Sequence, residues 1–220
     1  MKSIENPGRR ARKKQALRDA LIDTAYSLFE KNGFDGTRIE DITDEVDISA
    51  RTFFRYFSSK EDVVLDYQEV EHDEIMAALR ARPQGEPILT SLRRAAVEVV
   101  QGCEMGLYGV DSNRFKVLKY LIREHPLVCA KNFERTKVRN KLLIEILAER
   151  MQVDPLIDIR PGLVANVLEY ANSAAYEIWQ ALSEERRLYS SVLDEVFGAL
   201  ESGLNYPCPP LISLPGNSPT

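Results

Sequence analysis

The sequence predicts an all-α protein: a three-helix head of about 50 residues followed by a helical body, about nine helices in all. Apolar residues recur at helical spacing through most of the 220 residues. No sustained apolar/polar alternation bounded by hairpin turn pairs is present, so strand signals are missing. The interruptions fall at residues that start or stop helices, such as Gly33, Pro83 and Pro126.

Leu17, Leu21, Thr24, Ala25 and Leu28 mark a first helix that Gly33 stops after Asn32. The basic run Arg9-Arg10-Ala11-Arg12-Lys13-Lys14 precedes it. Thr37 reads as the N-cap of a short second helix, with Glu40 completing a capping box and Ile39, Ile42 and Val46 as its apolar positions. Asp47-Ile48 makes a tight corner, and Ser49 caps a third helix running through Tyr56. Ser59 caps a fourth helix, with Glu61 and Asp62 in its first turn, where the helix dipole favours acid. It runs to about Arg82, before Pro83 and Gly85-Glu86-Pro87. Further amphipathic helices are expected at about 88–107, 113–124, 127–152, 161–182 and 184–202. They are broken at Gly106, Gly109, His125-Pro126 and Asp154-Pro155. Gly102, Gly106 and Gly109 hint at a kink. Residues 204–220 hold five of the eleven prolines and should be irregular. The chain divides into a head at 1–58, a body at 59–203 and a Pro-rich tail at 204–220.

Charge is uneven. There are 29 basic against 34 acidic side chains, a net −5. Residues 1–60 carry 12 basic and 10 acidic groups, leaving 17 and 24 for the remainder. A basic head on an acidic body suits a polyanion bound at one end only. No apolar run approaches the roughly 18 residues a membrane-spanning helix needs. Cys103, Cys129 and Cys208 form no CxxC pattern, so the sequence suggests neither disulfide framework nor structural zinc, and it reads as cytoplasmic.

The chemistry lies in Thr37 to Lys60, where two short helices joined by a tight corner form a helix-turn-helix. Such a unit sets its second helix into a DNA major groove. That helix needs apolar anchors on its buried side, which Phe53, Phe54 and Phe57 can supply. It needs short polar or basic groups on its open side, which Arg51, Thr52 and Arg55 can supply, with Tyr56 and Lys60 beyond. The segments Phe29 to Thr37, Ile42, Ile48-Ser49 and Tyr56 to Glu61 together resemble the TetR family of bacterial one-component transcription regulators. The RTFFRYFSSKEDVV stretch looks most like an actinobacterial branch. The likeness covers about Arg9 to Leu65. It implies a homodimer whose heads read a palindromic operator in double-stranded DNA and whose bodies bind a small effector.

Carried over by position, Thr37 and Arg38 would hold a phosphate at a helix N-terminus. Ala50, Arg51 and Thr52 would face bases, with Ser49 and Arg55 also counted among the DNA-binding residues. Tyr56 and Lys60 would grip backbone. Apart from the resemblance, the basic run with Arg9, Arg10, Arg12 and Lys13 reads either as an arm along the duplex or as a solubilising tail. Three positions depart from the family pattern: Asp47 replaces the corner glycine, Thr43 and Val46 replace small alanines, and Phe54 replaces a tyrosine hydroxyl.

Two apolar stripes, one through Val164, Leu168 and Leu182 and one from Leu188 to Leu200, suggest a dimer interface. Its expected members are Ala171, Ala174, Ala175, Ile178, Leu193, Val196, Phe197 and Leu200. A mostly apolar effector would lie among Tyr67, Met76, Cys103, Leu107, Phe115, Leu118, Phe133, Tyr170 and Trp179. No cofactor is indicated, and the chain is not expected to be an enzyme. Two alternatives remain: an architectural DNA-binding protein without an effector, and a helical-bundle metalloenzyme. Glu69-Val70-Glu71-His72 offers half of a di-iron site, but His125 lacks the matching glutamate.

Overall fold

Capping chemistry and glycine geometry set most helix ends in the computed structural model, which describes residues 8–109, 112–182 and 187–206. Among these residues are nine α-helices, one 3-10 turn and no strand.

Helix α1 (Arg9–Asn32) ends at Gly33, whose φ of 77° suits a residue without a Cβ. It begins at Arg9, so the basic run expected ahead of the first helix forms its opening turns. Helix α2 (Ile39–Glu45) starts one residue later than its expected cap. Arg38 is the N-cap, and its N–H donates to the Asp41 carboxylate at 2.7 Å. Thr37 instead turns inward, 1% exposed, and its hydroxyl donates to the carbonyl of Gly33 at 2.8 Å. That bond satisfies an acceptor left over at the end of α1.

Gly36 makes this turn possible. A Cβ there would lie 2.3 Å from the carbonyl oxygen of Asn32, a backbone atom that cannot rotate away. Gly36→Ala should therefore lower stability by about 1–3 kcal/mol, read by urea denaturation. An unchanged midpoint would show that the loop yields freely.

The corner residue Asp47 has φ 55°, a left-handed geometry that Asp accepts better than most residues. Helix α3 (Ala50–Phe53) is shorter than expected. Ser49 caps it by accepting the N–H of Thr52 at 3.3 Å, but it ends after Phe53 rather than Tyr56. Phe53 and Phe57 must both reach the head core, at 0% and 4% exposure, and a looser turn carries the chain between them. Phe54, the third expected anchor, is 55% exposed.

Helix α4 (Lys60–Ala81) starts at Ser59, which accepts the N–H of Asp62. Then follow α5 (Ile88–Glu104), α6 (Ser112–Glu124), α7 (Pro126–Met151), α8 (Arg160–Ala181) and α9 (Tyr189–Ser202). The turn after α5 contains the expected kink: Gly106 and Gly109 have positive φ, and so does Tyr108. Helix α9 starts at Tyr189. Arg187 and Leu188 precede it without helix, while residues 184–186 of the expected helix lie outside the described residues, as do 207–220 of the tail. Its cap comes from far along the chain. The Glu104 carboxylate accepts the N–H of Tyr189 at 2.6 Å and of Ser190 at 3.0 Å, an acid at the positive end of a helix.

In the body, α9 packs on α5 and α8, and α7 packs on α4 and α8. This corrects five of the eight expected dimer-interface residues. Ala171, Ala175, Leu193 and Phe197 are fully buried and Val196 nearly so, because α9 spends its apolar stripe on α5 and α8 of its own chain. Ala174 and Leu200 stay partly exposed, and Ile178 is 42% exposed. The interior also buries charge: Lys119 of α6 donates to both carboxylate oxygens of Glu71 of α4, at 2.8 and 2.9 Å.

Candidate nucleic-acid interface and its link to the body

The head core of Leu21, Tyr26, Phe29, Ile42, Phe53 and Phe57 holds α3 against α1 and α2. Burying a side chain such as Phe53 contributes about 1.5–3 kcal/mol, so the anchoring of this short helix rests on its aromatics rather than on its own four residues. With its inner side so committed, α3 turns its other side to solvent. Arg51 and Arg55 are exposed there, and neither makes a hydrogen bond or ion pair among the described residues. Thr52 and Tyr56 are half-buried beside them, and Phe54 adds an exposed ring. Ser49 serves as the cap, so its oxygen is engaged within the helix.

The structure corrects two of the expected phosphate contacts. The Thr37 side chain is buried, which leaves Arg38, exposed at the N-cap of α2, as the basic group at that helix end. The Lys60 ammonium is not held out to solvent. It donates to the carbonyls of Phe34 at 2.5 Å and Thr37 at 2.9 Å and sits 4.3 Å from the centroid of the Phe34 ring. Lys60 thus clamps the loop that leads into α2.

Arg9, Arg10, Arg12 and Lys13 are exposed on the first turns of α1, which hold no acidic residue. Cations crowded at the positive end of a helix disfavour the isolated helix. Such an arrangement suits an external polyanion.

Sequence reasoning missed how the head is tied to the body. Asp62, read there only as a first-turn acid, is 7% exposed and joins both parts. It accepts the N–H of Ser58 at 3.1 Å and the Ser58 hydroxyl, along with Lys131 at 3.0 Å and Arg135 at 2.5 Å from α7. Burial works against its charge, but the Ser58 hydroxyl and the two cations outweigh it and hold the carboxyl below the usual carboxylate range. Arg135 also pairs with Glu69 at 3.0 Å, and Glu69 with Arg139 at 3.0 Å. The signal was available: Asp62 and Glu69 share one face of α4, and Lys131, Arg135 and Arg139 share one face of α7. Only the fold brings the two stripes together. His125 makes a second tie. Its ring lies 4.5 Å from that of Phe34 and its Nε2 is 3.0 Å from Asp35 in the α1–α2 loop.

The expected effector residues divide. Tyr67, Met76, Cys103, Phe115 and Leu118 are buried, whereas Leu107, Phe133 and Tyr170 are more than half exposed. Tight packing among the body helices fills the interior where the first five sit, so they form core rather than one open pocket. Phe115 and Trp179 do border a cleft of about 620 Å³ with Glu104 and Arg187, and Met76 borders a void of about 20 Å³ beside His72. The Cys103 thiol, pushed up to about 12 by burial, is poorly suited to redox chemistry.

Glu69, Glu71 and His72, the half-motif for a metal, are held by Arg135, Lys119 and Gln68. His72 is driven down to about 4 by burial and by the nearby charge of Arg139. In the unfolded chain it titrates near 6.5, so that state takes the proton first. Stability present above pH 6.5 should fall by about 3 kcal/mol as pH drops toward 4. His72→Gln should flatten this part of the pH profile of the denaturation midpoint. An unaltered slope would mean that other groups carry it.

No described helix is long and apolar enough to cross a membrane. Residues 21–67 match the family model described as bacterial regulatory proteins, tetR family, and residues 86–205 match that of the MftR C-terminal domain. The chain is 33% identical over 174 residues to the HTH-type transcriptional regulator TcmR of Streptomyces glaucescens, covering 79% of this chain and 77% of that one. Its fold is similar to a TetR-family regulator from Syntrophomonas wolfei, with TM-score 0.59 and 12% identity over 84% of this chain and 93% of the other. It is also similar to the fatty acid degradation regulator FadR of Bacillus halodurans, with TM-score 0.58 and 17% identity over 92% and 100% of the two chains.

Proposed function

The chain belongs to the TetR family of bacterial regulatory proteins, a family of transcriptional regulators rather than enzymes, and on that basis we propose that it is a repressor of the actinobacterial type. In this reading two copies bind a palindromic operator through their heads, residues 1–58, and a small effector taken up by the body, residues 59–203, releases them. The chain acts in the cytoplasm. The observation that carries this reading is the open side of α3, where Arg51 and Arg55 are exposed without partners among the described residues and Phe53 and Phe57 lock the opposite side into the head. Arg38 and the basic turns of α1 supply the surrounding phosphate contacts. Thr52 and Tyr56 flank the base-reading arginines, with Ala50 small enough to allow close approach.

Selection of binding sites from random duplexes tests this directly. A palindrome with half-sites one helical turn apart, about 34 Å, is the expected product. Equal affinity for all sequences would favour an architectural protein instead. Arg51→Ala should relax preference at one position per half-site by about 1–3 kcal/mol. Lys60→Ala should act differently, weakening binding to all sequences alike and lowering the melting point, because the loop before α2 loses its clamp. If both variants lose affinity uniformly, Arg51 does not read a base.

A further inference from the structure

A cleft of about 450 Å³ opens between the end of α6, the first half of α7 and the middle of α8. This volume lies in the range that holds small ligands. Its floor shares Thr136, Asn140 and Glu169 with the 20 Å³ void that His72 and Arg139 border. Bordered by the buried His72 and Met76, the void forms the inner end of the same site.

Polar groups at that inner end are incompletely matched. Arg139, which borders the void, has its Nε buried without a hydrogen-bond partner among the described residues. His72 Nδ1 lies 2.8 Å from the Gln68 backbone carbonyl and 3.0 Å from the Gln68 side-chain nitrogen. The ring stays neutral at pH 7 and can accept a hydrogen bond. An unmatched buried polar atom is costly, and a ligand that supplies its partner recovers that cost.

The mouth has a different character. Phe133 is 62% exposed, and Lys137 Nζ lies 4.6 Å from the centroid of its ring. Arg123 pairs with Glu169, and Arg135 and Arg139 pair with Glu69. Lys137 has no carboxylate partner among the described residues. An exposed ring beside an uncompensated cation matches a flat apolar body that ends in an anion.

We propose that this α6–α7–α8 cleft is the effector site and that its ligand is a flat, mostly apolar molecule with one acidic group, held by Lys137 and stacked on Phe133. The proposal rests on the reading of the chain as an effector-released repressor. The route to DNA starts at Arg139, which shares Glu69 with Arg135, and Arg135 holds Asp62 at the exit of the recognition segment.

The test uses the full chain with 2-naphthoate and anthracene-2-carboxylate, each paired with its uncharged carboxamide, in titration calorimetry at low salt. The acids should bind at least about tenfold tighter than the amides. Lys137→Met should erase that preference and leave amide affinity intact, and Phe133→Ala should weaken both. Both side chains are exposed, and circular dichroism melts verify the fold. Equal binding of acid and amide, an acid preference that survives in Lys137→Met, or no binding by any probe overturns the proposal. Operator affinity is followed in parallel. Lys137-dependent binding that leaves the operator bound upholds the site and overturns release. Release by a compound whose binding ignores Lys137 and Phe133 does the reverse.

Discussion

Lys119→Met alone is expected to cost about 3–5 kcal/mol of stability, and adding Glu71→Met is expected to restore most of it. The two side chains are 3% and 2% exposed, and the ammonium donates to both carboxylate oxygens while lying 5.1 Å from the Phe115 and Tyr189 ring centroids. Removing one partner strands a charge where water cannot reach it, whereas an apolar pair of similar volume leaves nothing unsolvated. Denaturation of the four members of the double-mutant cycle measures this. A single replacement that costs under about 1 kcal/mol would mean that the pair is hydrated in solution. The pair also fastens α6 to α4, the helix that begins where the recognition segment ends. The double variant should therefore fold well and be the informative one for operator binding.

Ala199→Arg should leave a folded monomer with operator affinity reduced roughly a thousandfold or more, toward the non-specific level. Ala199 is exposed on α9 beside Ser191, Glu195 and Ser202, and the adjoining α8 exposes Leu163, Tyr170 and Ile178. On the expectation that two copies pair through α8 and α9, these are the outward faces open to the second copy. A long charged side chain at a small position would hold two copies apart and bury an unpaired charge if they closed. One head alone makes half the contacts of two. Sedimentation and an operator titration read the result, and a variant that stays dimeric with full affinity moves the interface elsewhere. Leu193→Arg is a poorer probe. Leu193 is fully buried in its own chain, so that change would unfold the subunit before reporting on pairing.

The helix-turn-helix was the most legible part because its determinants are local. Asp47 tolerates the left-handed corner, Ser49 and Ser59 cap the helices that follow them, and Gly33 ends α1. Each depends on residues within about one helical turn, and all are readable from spacing. Errors appeared where a local rule met a competing long-range demand. Thr37 had the chemistry of a cap but was drawn into the core, and Lys60 had the charge of a phosphate grip but was taken by two carbonyls.

Helical periodicity and capping residues were enough to determine the all-α class and the helices of the described residues, while the kind of partner came from the resemblance of about Arg9 to Leu65 to a known family. The class and the helices follow from propensity and hydrophobic pattern, which act over a few residues. Which side of each amphipathic helix faces its own chain was decided only by tertiary packing: an apolar stripe on α8 or α9 fits an interface or a core equally well until α5 occupies one side. The same holds for charge. Asp62 and Glu69 meet Lys131, Arg135 and Arg139 across 66 to 73 residues of chain, and Glu71 meets Lys119 across 48. No periodicity within one helix encodes such a meeting, because the energy that selects it arises only after the helices have packed and water has left between them.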